Sequence, residues 1–422
     1  KPFLMLFLKR FSYWRNHSDY PNLLKNLSSL SLVQISNYIL PLITLPYLAR
    51  VLGPEYYGLV MMAQATMIYF TILTDYGFNL SATKDIAAHQ SDTKKVSDIF
   101  SAVMGTKCVL LLVGMGILTI LVQTIPIFNA HAILFYASFL IVIGNTFLPT
   151  FLFQGLEKMS FIATFNLIAK CSFTALIFVL ITSTSDYQWV HALWGISYII
   201  VDIAAFIFIR TKCNVRLTIP SINQIKALFG ISFEYFLSRV AIAIYLSTNV
   251  IIIGILLSPA AAGIYGGAEK LLFAITTFYA PLIETIYPYM SRTKNINFAK
   301  KVLGIAISVN IIGCLLAFAL APIVIPIILG ASFADAVPLF RWMMIIAFLH
   351  LPASIIGYPI LGAMGHVKTA NRSVIVGAII HLIMVIITYP MITSPLHFVW
   401  IMIASQSIIL GWRLIKFFRI LN

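Results

Sequence analysis

Long apolar runs separated by short polar breaks set the pattern of this chain. Twelve runs lie near 30–52, 56–78, 98–123, 131–153, 160–183, 189–210, 228–257, 260–288, 301–328, 337–360, 369–392 and 397–417. Each holds about 20 mainly apolar residues or more, enough for a helix to cross a ~30 Å hydrocarbon layer. The runs are too long for membrane strands and lack strict alternation, so they predict helices. The expectation is an all-α polytopic membrane protein with twelve transmembrane helices.

The breaks between runs also set direction. Lys94, Lys95, Arg210, Lys212, Arg216, Lys226, Arg292, Lys294, Lys300, Lys301, Arg413, Lys416 and Arg419 all fall on one side if both termini face the cytoplasm. The opposite breaks, around 124–130, 184–188, 258–263 and 393–396, contain no Lys or Arg. Positive-inside bias therefore predicts cytoplasmic termini.

Composition agrees and excludes other classes. Of 422 residues, 60% are apolar and 10% charged, against roughly 45–50% and about 25% in soluble domains. So few charges cannot cover a water-exposed exterior. The formal net charge of +15 arises mainly from the orientation signals, so no nucleic-acid partner is expected. Cys108, Cys171, Cys213 and Cys314 are scattered singly, which predicts neither disulfide nor metal site. Lys1 to Trp14 is apolar and basic, but Lys9 and Arg10 interrupt it and no small-residue cleavage site follows, so no cleavable signal peptide is expected. There is no G-x-x-x-x-G-K-[ST] phosphate loop and no loop long enough for a folded domain. Both count against an ATP-driven pump and against a membrane-bound polymerase.

The chain contains an internal echo. Pro54 and Gly58 recur as Pro259 and Gly263, an offset of 205 residues, and Gln154-Gly155 is answered by Leu361-Gly362, each after a span containing proline. Two matches at similar offsets, with six spans per half, predict two parallel lobes that rock about a central cavity. The boundaries are an N-terminal cytoplasmic or interfacial segment 1–29, a first lobe 30–210, a cytoplasmic linker 211–227, a second lobe 228–417 and a tail 418–422.

The stretch Leu45-Pro46-Tyr47-Leu48-Ala49-Arg50-Val51-Leu52-Gly53-Pro54-Glu55-Tyr56-Tyr57-Gly58, followed by Thr74-Asp75-Tyr76-Gly77-Phe78-Asn79-Leu80-Ser81-Ala82-Thr83-Lys84-Asp85-Ile86-Ala87, resembles the bacterial O-antigen flippases of the Wzx type. These belong to the multidrug, oligosaccharidyl-lipid and polysaccharide (MOP) exporter superfamily. The likeness covers the whole chain in span count and lobe order. Its specific motifs are confined to the first ~90 residues and the Gln154-Gly155 turn. The second outer turn lacks the acidic-aromatic pair, so no functional residue is carried over there. The resemblance implies a MATE-like fold in the bacterial inner membrane and an undecaprenyl-diphosphate-linked oligosaccharide cargo moved to the periplasmic leaflet. It also implies a polymerase and a chain-length regulator as later partners.

Intramembrane charge costs roughly 2.5–3.5 kcal/mol per central residue on insertion scales, so each instance needs a reason. Arg50, Lys170, Arg239 and Lys270 are candidate cations for a diphosphate. Asp75, Glu234, Glu269 and Glu284 are candidate partners or coupling carboxylates. At about 100° per residue, Glu234, Ser238, Tyr245 and Asn249 share one face of the seventh run, with Arg239 elsewhere. Lys270, Thr277 and Glu284 share a face of the eighth, and Gln34, Asn37 and Thr44 form a stripe on the first. Static interhelical pairing or snorkelling is the competing explanation for any one charge, and for Arg50 above all. Lys107 and Asp202 are set aside as near the cytoplasmic surface. His350 and His381 are expected to bond neighbouring helices, and the tryptophans near span ends to form an interfacial belt. No cofactor is expected beyond a coupling H+ or Na+. An ion-coupled drug exporter of the same superfamily and a membrane-bound glycan polymerase or acyltransferase are the alternative functions.

Overall fold

A computed structural model describes the backbone of residues 20–421 and the side chains of 40–420, apart from positions 42, 222–224, 227, 231, 234, 238, 241–242 and 245–246. The principal helices of the first half are α1 (Tyr20–Asp75), α2 (Phe78–Ala88), α3 (Thr93–Thr124), α4 (Ala132–Phe147), α5 (Thr150–Gly155), α6 (Met159–Leu180) and α7 (Val190–Lys212). Those of the second half are α8 (Ile222–Leu256), α9 (Pro259–Thr277), α10 (Ala280–Thr293), α11 (Ile296–Leu329), α12 (Ala336–Ile355), α13 (Val367–Thr388) and α14 (Leu396–Leu421). A π-helical segment, Ile356–Gly362, continues α12. No strand occurs among the described residues.

Ten helical segments among the described residues are long and apolar enough to cross a membrane. α1 shows how the chain turns between two such crossings. Its 56 residues would reach about 84 Å if straight, far beyond the hydrocarbon layer. The helix instead breaks at Gly53, whose φ of 67° and ψ of 173° suit glycine and no other common residue. Pro54 follows at the start of the next helical stretch, where its missing N–H costs nothing.

Other boundaries are fixed by caps. The Asp92 side chain accepts from Lys95 N at 3.0 Å, Ser258 from Ala261 N at 3.1 Å and Asn295 from Phe298 N at 3.0 Å. Each satisfies a donor that the first helical turn leaves unpaired.

Helices within each half pack mainly on one another: α4 on α7 and α1 on α6 in the first, α11 on α12 and α13 on α14 in the second. The halves meet where α1 lies along α9 and α8. At one end of this seam Gly58 and Gly263 cross so closely that a Cβ on Gly58 would stand 1.8 Å from the Pro259 carbonyl oxygen. Tyr57 packs edge-on against Phe333 beside them, ring centres 5.6 Å apart.

Seventeen residues along α1 from Gly58, about 25 Å by helical rise, the halves meet again. Tyr76 stacks on Phe236 with centroids 4.6 Å apart, and the hydroxyls of Ser81 and Ser232 are 2.8 Å apart. Gly77, at φ 84°, lets α8 approach there, since a Cβ would lie 2.6 Å from the Tyr235 Cβ.

Candidate functional site

Between these two closures lies a cavity of about 540 Å³ whose wall includes Gln64, Asn145, Trp194, Arg239, Glu269 and Lys270. A second cavity of about 250 Å³ adjoins it, sharing Met61, Gln64, Trp194 and Lys270 and adding Thr44, Lys170 and His191. Arg239 and Lys270 thus border the cavity between the halves, and Lys170 borders an adjoining first-half cavity that Lys270 reaches from the second half. Glu269, buried beside Lys270 in sequence, keeps its Oε1 without a hydrogen-bond partner among the described residues.

The helices present these groups by simple periodicity. On α8 the wall is built by Arg239, Ala243, Ser247 and Val250, a stripe at steps of four, four and three. The sequence reading favoured the other face, on which Asn249 lies. Asn249 is buried away from the cavity, donating to the Tyr265 hydroxyl at 3.1 Å while its Oδ1 meets His381 Nε2 at 2.9 Å. Its polarity is satisfied inside the second half. Glu234, Tyr245, Gln34 and Asn37 lie outside the described side chains.

The remaining expected residues stand apart from the cavity. Arg50 is exposed and donates to the Ile327 carbonyl at the end of α11, where a cation also suits the helix dipole. Thr277 is spent on the Phe273 carbonyl at 2.7 Å, and Glu284 is exposed on α10. Thr44 does border the smaller cavity, with its hydroxyl donating to Leu40 O at 3.0 Å.

Asp75 lies at the end of α1 and joins the halves through an ion pair with Arg239. Its other oxygen faces Lys107 Nζ at 3.7 Å. Lys107 is only 1% exposed and sits over the Phe151 ring, 5.4 Å from its centre. α3 begins at Thr93, and Lys107 lies about 20 Å along it, enclosed by its neighbours rather than exposed. Asp202 on α7 is buried too, and among the described residues neither of its oxygens accepts a hydrogen bond.

Arg413, counted above among the orientation signals, is also internal. It donates to the Ala353 carbonyl at 2.6 Å, the Ala370 carbonyl at 3.1 Å and the Ser373 hydroxyl at 2.8 Å. His350 bonds Ser354 at 3.2 Å and Gln406 at 3.5 Å. Gln64, Asn145 and Trp194 were missed as wall residues. For Gln64 and Asn145 the signal was an amide well inside a span; Trp194, in the first turns of α7, carried none that set it apart from the interfacial tryptophans.

A sequence family described as polysaccharide biosynthesis protein matches residues 23–294, well over half of the chain. The chain belongs to the polysaccharide biosynthesis protein family. Among curated relatives of this family member, a candidate O-antigen transporter of Escherichia coli (strain K12) is 29% identical over 370 residues, covering 86% of this chain and 89% of that protein. One of the same description from Shigella dysenteriae is 26% identical over 362 residues, covering 85% and 91%.

Two solved structures share its fold at 13% identity. The lipid II flippase MurJ, in an inward closed conformation, gives a TM-score of 0.72 over 92% of this chain and 86% of that one. An inward-facing MATE multidrug transporter of the MOP superfamily gives 0.67 over 93% and 98%. This member of the polysaccharide biosynthesis protein family is thus a multi-pass membrane protein of the MOP fold.

Proposed function

We propose that this protein is a flippase that turns undecaprenyl-diphosphate-linked O-antigen or related polysaccharide repeat units from the cytoplasmic to the periplasmic leaflet of the bacterial inner membrane. The observation that carries the reading is the set of cations, with Arg239 and Lys270 bordering the cavity between the halves and Lys170 the adjoining one, together with amides and an indole. A diphosphate leaving water needs charge-assisted donors, and Arg and Lys supply them. Gln64 and Asn145 have the chemistry to exchange hydrogen bonds with sugar hydroxyls, and the Trp194 face to cover their apolar side.

In this reading α1 supplies two spans, one on each side of Gly53, and α8 one, giving twelve with both termini cytoplasmic. The halves 30–210 and 228–417 act as lobes joined by 211–227, and their rocking opens the cavity to one leaflet at a time. The protein transports rather than catalyses. Glu269 is the carboxylate best placed to couple movement to H+ or Na+. A polymerase and a chain-length regulator act on the delivered units. Two adjoining cavities walled by three cations and one carboxylate suit an anionic cargo better than the cationic compounds of a drug exporter.

Deleting the gene tests this reading. The expected result is loss of surface polysaccharide with accumulation of a carrier-linked repeat unit, both reversed by the intact gene. Unchanged polysaccharide with no trapped unit would overturn it.

A further inference from the structure

Asp75 is held unequally by its two neighbours. Oδ2 takes the Arg239 guanidinium from across the seam, whereas Oδ1 accepts no hydrogen bond and faces Lys107 Nζ at 3.7 Å. Lys107 is fully interior, and its weak contact with the Thr146 carbonyl at 3.5 Å leaves it room to approach. Arg239 is different: its side chain is 44% exposed and it borders the cavity. One carboxylate therefore has a hydrogen-bonded ion pair with the opposite half and a longer ion pair, without a hydrogen bond, within its own.

That inequality has a physical consequence. If Arg239 turned to another anion and nothing replaced it, a bare carboxylate would remain inside the membrane, a costly arrangement. Lys107 needs to close less than about 1 Å to reach hydrogen-bonding distance. Asp202 on α7 is buried as well, and among the described residues neither of its oxygens accepts a hydrogen bond.

We propose that Lys107 is a positioning residue for transport: it is the standby counter-ion of Asp75, which frees Arg239 to exchange the inter-half ion pair for an anionic group of the cargo. The inference rests on the anionic cargo proposed above. Cargo binding then loosens the closure formed by Tyr76, Phe236, Ser81 and Ser232, because the ion pair beside it has been given up. Among the described residues the opposite closure at Gly58 and Gly263 contains no such ion pair, so the same exchange does not release it.

The test uses the full chain in membrane vesicles, with the four native cysteines replaced by serine and a reporter pair, Ser81→Cys with Ser232→Cys, across the closure. Oxidative crosslinking of that pair is measured with farnesyl diphosphate as probe and farnesol as its uncharged control. Farnesyl diphosphate should slow crosslinking at least fivefold and farnesol should not. Lys107→Met should abolish the response, and Lys107→Arg should retain it. Adding Asp75→Asn to Lys107→Met should make crosslinking slow with or without the probe, which a merely structural role for Lys107 would not produce.

The inference is overturned if Lys107→Met responds like the unaltered chain, if Lys107→Arg does not respond, or if Asp75→Asn leaves the Lys107→Met behaviour unchanged. An unresponsive unaltered chain whose gene still restores surface polysaccharide also overturns it, while the flippase reading stands. If the gene restores none, the reading of the cargo fails as well.

Discussion

Gly58 and Gly263 face each other across the two halves, each occupying the space where the other's helix turn would otherwise need to withdraw. A Cβ on Gly58 would lie 1.8 Å from the Pro259 carbonyl oxygen, and one on Gly263 would lie 2.0 Å from that of Pro54. The echoed Pro-x-x-x-Gly motifs are thus the two sides of one contact. Both atoms in the way are backbone, so relief requires moving a helix.

Gly58→Ala and Gly263→Ala are accordingly expected to keep this end of the seam apart. Polysaccharide export should fall at least tenfold while the protein still inserts. A cysteine at Gln64, within the cavity, should become labelled by an impermeant thiol reagent added from the periplasmic side. Full export by Gly58→Ala would show that this crossing is not part of the cycle.

Arg413 ties α12, α13 and α14 through backbone carbonyls and one hydroxyl, and no carboxylate pairs with it among the described residues. The Ala353 and Ala370 carbonyls keep other donors, the Ile356 N–H and the Ser373 hydroxyl, but each hydrogen bond to a charged group is worth about 1.5–3 kcal/mol. Arg413→Met should therefore lower the melting temperature of the detergent-solubilised protein by several degrees. Arg413→Lys should rescue only part, because an ammonium cannot reproduce the guanidinium fork. Equal stability of all three would remove the structural role assigned here.

Arg341 offers a sharper test of carbonyl capping. Pro322 in α11 has no N–H, so the Phe318 carbonyl four residues earlier lacks its helical donor. Arg341 Nε donates to that carbonyl at 3.2 Å, with the guanidinium over the Phe318 ring at 5.0 Å. Arg341→Met should cost about 1 kcal/mol, and less once Pro322→Ala restores the missing donor. A double-mutant cycle by thermal unfolding measures this, and strict additivity would contradict it.

Much of the fold was legible because membrane spans are written in hydropathy, and Pro54 after Gly53 marked the first turn. Contacts between distant runs were less legible. The Pro54/Gly58 and Pro259/Gly263 echo showed kinship between halves but gave no sign that the copies touch. On α8 a polar stripe ending at Asn249 suggested the cavity face, whereas Tyr265 and His381 satisfy that amide within the second half. The enclosure of Lys107 and Arg413 by neighbouring helices was not legible either, because distance along the chain to a polar break says nothing about which side chains a neighbouring helix covers. Lys170, Arg239 and Lys270 were recoverable because charge inside a span is costly and calls for a use.

The central claim, that the cavity cations receive the diphosphate of a lipid-linked cargo, is tested most directly by extracting carrier-linked repeat units from cells expressing Lys270→Met or Arg239→Met in place of the intact protein. With membrane levels of the protein unchanged, each substitution should raise the trapped unit at least tenfold and reduce surface polysaccharide in parallel. Intact export and no trapped unit in both variants would contradict it.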